Sequence, residues 1–361
     1  MKNLFRSISF LGVMTLFIVS CSGDSDSDVT NPIPDNNTSP SNLQIETHIV
    51  GSNASPAGNG SGTVNFEATA DNALDYRFIF NNTVKESTEG KATFNFGASG
   101  TFTVTVEALG EGNTTVSENV TFEIFVDPSL VWAQEFEEDG SLDTDFWNYE
   151  IGDGCDRGIC GWGNNEKQWY TDSSDNVTVE NDVLRITARA ESDQDYDYSS
   201  ARITTQNKFS FQYGRVEVRA KLPEGGGTWP AIWMLGANIN EVGWPKCGEI
   251  DIMEHVGNNP GRVSAATHDE FFYSSSARYN ATNVDNVSTE FHVYSLEWDQ
   301  NGMNFFVDDK LFFNSPNDNT LPYNQDFFLI LNIAMGGNLG GDIDPAFQSG
   351  SMEIDYIRVF Q

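Results

Sequence analysis

The stretch Gly248-Glu249-Ile250-Asp251-Ile252-Met253-Glu254 places three carboxylates within seven residues, among apolar side chains of the kind a buried strand uses. Side chains alternate faces along a regular strand, so Glu249, Asp251 and Met253 share one face and Glu254 points to the other. One extra residue near Ile252-Met253, a β-bulge, returns Glu254 to the side of the other two acids. Three acids on one face repel one another, and no structural role calls for that cost. Cleavage of a polysaccharide does, because one carboxyl must donate a proton while another attacks carbon or activates water. The competing reading is an edge strand whose acids simply face water.

Upstream, Gly225-Gly226-Gly227-Thr228-Trp229-Pro230-Ala231-Ile232-Trp233-Met234 and Gly243-Trp244-Pro245 bring three tryptophans close to the acids. The C–H faces of a pyranose are apolar and stack on indole, which suits a sugar cleft; an indole can equally fill a core. Charge narrows the partner. With 19 basic against 53 acidic residues and a net charge of −34, the chain is a poor ligand for nucleic acid or anionic lipid, where each phosphate contact needs a cation. The same argument weighs against sulfated galactans and favours a neutral glucan.

From Trp132 to Gln361 the sequence resembles a catalytic domain of glycoside hydrolase family 16, in its laminarinase (endo-β-1,3-glucanase) branch. The motifs that carry the resemblance are Gly161-Trp162-Gly163-Asn164-Asn165-Glu166 with Trp169-Tyr170-Thr171, Ser200-Ala201-Arg202-Ile203, the Trp229–Met234 run, Gly243-Trp244-Pro245 leading into the acids, and Ile354-Asp355-Tyr356-Ile357-Arg358-Val359. The resemblance implies that Glu249 is the nucleophile, Glu254 the acid/base and Asp251 the residue that sets their protonation. It further implies that Asn165, Arg202, Trp229, Trp233, Trp244 and His268 line the cleft. A structural Ca²⁺ on the convex face is expected from Glu137 and Asp355, whose oxygen ligands suit a hard cation; the chemistry itself needs no cofactor. Arg202 lies in a strand-like run where an unpaired guanidinium is costly, so an acid or a sugar hydroxyl should partner it.

The rest of the chain divides by composition. Residues 1–21 look like a targeting segment: Lys2 and Arg6 precede an apolar run from Leu11 to Val19 that is too short to span a bilayer, and Ile18-Val19-Ser20-Cys21 resembles a lipobox, which predicts lipidation at Cys21 and an outer-membrane, cell-surface or extracellular location. An ordinary cleaved signal peptide is the alternative. Residues 22–42, rich in Ser, Asp, Asn and Pro, form a linker without enough apolar surface to order. Residues 43–127 show short alternating runs separated by Gly, Asn and Asp, the pattern of a small β-sandwich, and the module resembles the PKD or immunoglobulin-like modules of secreted glycosidases. It serves as a spacer or binds carbohydrate.

Residues 128–361 are again strand-like, with no convincing amphipathic helix. The fold class is therefore all-β: one two-sheet sandwich from the pattern, and a jelly roll with a concave cleft once the resemblance is added. Of four cysteines, Cys155 and Cys160 bracket a short loop in a secreted context, where a disulfide is expected, and Cys247 reads as a buried thiol. Among the four histidines, His255 and His292 read as core or rim residues. A monomer that hydrolyses β-1,3-glucan with retention is the expectation. Mixed-linkage β-1,3-1,4-glucan, sulfated galactan, and a non-catalytic glucan-binding role are the alternatives.

Overall fold

A computed structural model describes residues 39–361; Cys21 and residues 22–38 of the linker lie outside the described residues. Over 41–124 seven strands form a three-stranded and a four-stranded sheet. Val64, Phe66, Ala68, Phe78, Val104, Val106 and Ile124 are buried between them, as the alternation requires. The first strand, Ser41–Ile49, begins inside the stretch assigned to the linker.

Two sheets stack over the remaining chain, one of seven antiparallel strands and one of ten in which only Gln168–Tyr170 and Tyr196–Ser200 pair parallel. The seven-stranded inner sheet carries the acids. Its strands in chain order are β1 (Asn148–Tyr149), β2 (Arg202–Thr204), β3 (Thr228–Gly236), β4 (Glu249–His255), β5 (Arg262–His268), β6 (Arg278–Asn283) and β7 (Phe327–Met335). In space they run β6-β5-β4-β3-β7-β2-β1. Ile203, Ile232, Met234, Ile250, Ile252, Leu329, Leu331 and Ile333 point from this sheet into one core, where they meet Leu184, Ile186, Val216, Val218, Ile354 and Ile357. Burial of that apolar area is what holds the sheets face to face. The helices of this part are single turns of at most four residues, such as Ile239–Val242 and Gly337–Gly340, in keeping with the absence of helical periodicity in the sequence. A long apolar run such as β7, whose nine residues are all buried, sits centrally because both its faces are covered.

Candidate active site

Register decides which side chains share the open face. On the β3 side, Ile232 pairs with Met253 but Trp233 pairs with Asp251, so Ile252 is the extra residue. On the β5 side, Asp251 pairs with Ala266 and Glu254 with Ser264, which is the same three-against-two count. The bulge expected from the sequence is present, and both Ile252 and Met253 turn into the core. Glu249, Asp251 and Glu254 are thereby left together on the face away from it.

Each glutamate is held by an indole. Trp244 Nε1 donates to Glu249 Oε2 at 2.9 Å, and Trp229 Nε1 donates to Glu254 Oε1 at 3.1 Å. His268 reaches across from β5, its Nε2 lying 3.1 Å from Asp251 Oδ2 and 3.6 Å from Glu249 Oε1. The backbone N–H of Ser274 donates to the Nδ1 of that ring at 3.1 Å, which puts the ring proton on Nε2, facing Asp251.

Burial pushes both glutamates up, and the Asp251 charge between them adds to it; His268 and the indole N–H groups pull the other way, leaving Glu249 at about 7 and Glu254 at about 8. The two glutamates titrate together, with the last proton favouring Glu254. Burial opposes a charge on His268, but Asp251, then Glu249 and Glu254, outweigh it and raise the ring to about 9. A second ring proton would set an N–H on Nδ1 against that of Ser274, so the loop contact restrains this rise.

Three strands from β4, Arg202 is buried to 8 % exposure. Its Nε donates to Glu150, which also receives Arg157, and its guanidinium packs 4.3 Å from the Trp162 ring centre and 4.8 Å from that of Trp233. Burial disfavours the Glu150 charge, yet the two guanidinium groups hold its carboxyl below the usual range. Arg202 thus has an acid partner, one of the two kinds expected of it. Trp233 Nε1 donates to Asn332 at 2.8 Å, Asn332 Nδ2 donates to the Tyr170 hydroxyl at 3.0 Å, and that hydroxyl donates to buried Glu166 at 3.1 Å. Asn165 is exposed on the rim, donating to Asn338 at 2.8 Å.

Glu150 and Asn332 escape a reading of the sequence. A polar residue inside the apolar run of β7 is the signal for Asn332; for Glu150 there is none, because its link to Arg202 depends on pairing between segments 52 residues apart. The donor role of Trp229 and Trp244 is also invisible to an argument about stacking.

The calcium expectation rests on Glu137 and Asp355. Glu137 accepts from the Gly51 amide at 2.6 Å and faces His48 at 2.8 Å, and Asp355 is paired with Arg219. Both carboxylates thus already have donors from the chain itself. Cys155 and Cys160 are joined by a disulfide. Cys247 is free and buried, burial first and the Glu249 charge second pushing its thiol up to about 12. His255 is buried with Nδ1 2.9 Å from the Arg262 carbonyl oxygen, and His292 pairs with Asp308 at 2.7 Å.

Paired carboxyls of unequal proton affinity, set on the open face of a two-sheet β-sandwich and flanked by indoles, define a glycoside hydrolase. The chain belongs to glycosyl hydrolases family 16, whose family model matches residues 164–358. A "Beta-glucanase" of Rhodothermus marinus is 41% identical over 248 residues, covering 64% of this chain and 85% of that protein. "Glucan endo-1,3-beta-glucosidase A1" of Niallia circulans is 38% identical over 258 residues, covering 64% of this chain and 38% of the longer relative. The laminarinase catalytic domain of Thermotoga maritima MSB8 shares the jelly roll with a TM-score of 0.61 at 44% identity, covering 64% of this chain and 97% of that structure.

Proposed function

We propose that this chain is an endo-β-1,3-glucanase that acts by double displacement. The observation that carries the reading is the acid row of β4, where one bulge sets Glu249, Asp251 and Glu254 on one face. Similarity to enzymes named as laminarinases and endo-1,3-β-glucosidases supports the substrate class.

In the first step Glu254, which keeps its proton to higher pH, protonates the glycosidic oxygen as Glu249 attacks the anomeric carbon; the bond to the leaving sugar breaks and a glycosyl ester on Glu249 forms. Glu254, now ionised, takes a proton from water, whose oxygen displaces Glu249 from the sugar. Two inversions give retention. Asp251, with its charge between them, disfavours two ionised glutamates at once. The Trp244 N–H steadies the charge on Glu249 before attack and again when it leaves. Reducing ends released from laminarin test the substrate, and proton NMR of the first product tests the stereochemistry: the β-anomer is expected first, and early α-anomer would mean inversion. A panel that includes mixed-linkage glucan and sulfated galactan places the preference, which loops between strands decide.

The sandwich at 41–124 acts as a spacer in this reading, and Cys21 carries a lipid that holds the enzyme at the cell surface. The basis is the sequence around Cys21, with the Ser/Asp tether that follows it. Cys21→Ala is expected to move the activity from the membrane fraction to the soluble one. Activity that stays with membranes overturns the anchor.

A further inference from the structure

The cleft continues past the acids on the side away from Arg202. In an antiparallel sheet, directly paired residues project from the same face. Asp251 pairs with Ala266 on β5, and Ala266 pairs with Tyr279 on β6, so Tyr279 stands in the row of Asp251. Strands lie roughly 4.8 Å apart, which puts Tyr279 about 10 Å from Asp251 across the sheet. The row's next member in the other direction is Trp233. Burial confirms the facing: Val263 and Ala265 of β5 enter the core, leaving Arg262, Ser264, Ala266 and His268 on the open side.

We propose that Tyr279 and Arg262 form a sugar-binding subsite at this end of the cleft, taking glucan units beyond those held at the acids. Tyr279 is 49% exposed although it is a large aromatic, and its hydroxyl accepts from Arg262 Nη2 at 2.7 Å. Only Ser264, Ala266 and Ala281 lie between this pair and the acids on the same face, so no bulky side chain of these strands blocks a chain laid along it. Arg262 is also singular in its charge. Every other arginine among the described residues has a carboxylate within 4.0 Å, in a chain where acids far outnumber bases. Arg262 alone keeps its remaining donors for an uncharged acceptor. A ring face with its hydroxyl occupied, beside a guanidinium with free N–H groups, matches a neutral pyranose, which offers an apolar C–H face and a rim of hydroxyls.

This inference rests on the glucanase reading, and substrate length separates the two. Tyr279→Ala and Arg262→Ala in the full chain are compared with the unmodified enzyme on β-1,3-gluco-oligosaccharides of increasing length and on laminarin. On substrates long enough to reach β6, Tyr279→Ala should raise KM about three- to tenfold with kcat unchanged, while the shortest cleaved substrate shows no change. Tyr279→Phe retains the ring and should stay near wild type. A KM equal to wild type at every length overturns the subsite, and so does a loss that is as large on the shortest substrate, which would mean a structural disturbance of the Asp251 row. Arg262 is exposed, so its Ala variant carries the same comparison if Tyr279→Ala does not fold. An unmodified enzyme that cleaves mixed-linkage glucan in place of laminarin changes the function reading alone, since the length series runs on that polymer too.

Discussion

Glu254 on β4, Ala231 on β3, Asn332 on β7 and Arg202 on β2 form one row across the open face, and the two ends of that row treat buried charge in opposite ways. At Arg202 the ions are balanced: Glu150 receives two guanidinium groups, and two aromatic rings cover the cation. At Glu254 three carboxyls share a site whose one nearby base is His268. A balanced pair keeps its protonation state over a wide pH range and so fixes shape. An unbalanced set is held in a state that a proton can change, which is what acid/base chemistry uses.

Removing either kind of charge should therefore fail differently. The largest effect belongs to the acids: Glu249→Ala should lower kcat on laminarin on the order of 10⁴-fold or more, and Glu254→Ala by about 10²–10⁴-fold, both with melting temperatures near wild type. Substantial residual turnover in either variant would remove the distinction between the two ends of the row. Next comes Arg202→Met, which strands the buried Glu150 with the partly exposed Arg157 alone. Breaking a buried pair costs about 3–5 kcal/mol, or roughly 6–20 °C in a domain of this size, and thermal melts should show that loss before any specific loss of kcat. A stable Arg202→Met enzyme with reduced kcat would make Arg202 part of the chemistry.

The smallest effect sharpens the comparison through pH. Glu254 ionises near the ordinary carboxylate value when unfolded but at about 8 when folded, so the folded state prefers its protonated form. That preference is fully present below the unfolded pKa, and it is lost as pH rises through about 8. Glu254→Gln cannot ionise. Its melting temperature should match wild type near pH 4 and exceed it by a few degrees at pH 8, the gap opening across that window in differential scanning calorimetry. A gap that is constant with pH would mean that packing, and not the proton, makes the difference.

What the sequence discloses follows from range. The bulge on β4 is legible because three acids and the apolar residues around them lie within seven positions, so the two-residue period and its interruption can be counted directly. The sandwich core of 41–124 is legible for the same reason, as in Val64, Phe66 and Ala68. Glu150 is not, since nothing local marks it as the partner of Arg202. The contact of Glu137 with His48 is hidden for the same reason, since it joins segments far apart in sequence. Trp229 and Trp244 are found by position, but their donation to the glutamates is not: a ring can be expected to stack from sequence, whereas the direction of its N–H depends on the folded backbone.

The twelve-residue strand Ser349–Phe360 lies inside the outer sheet, with Gly214–Lys221 along one edge and Val183–Asp193 and Leu130–Gln134 sharing the other. It is also the last described strand to be synthesised. Until it arrives, three earlier strands have open edges and the core lacks Met352, Ile354, Ile357 and Val359, so the catalytic half cannot close as the chain emerges. Closure of this half waits for that strand, and the interval before it inserts is when exposed edges are free to pair with another copy.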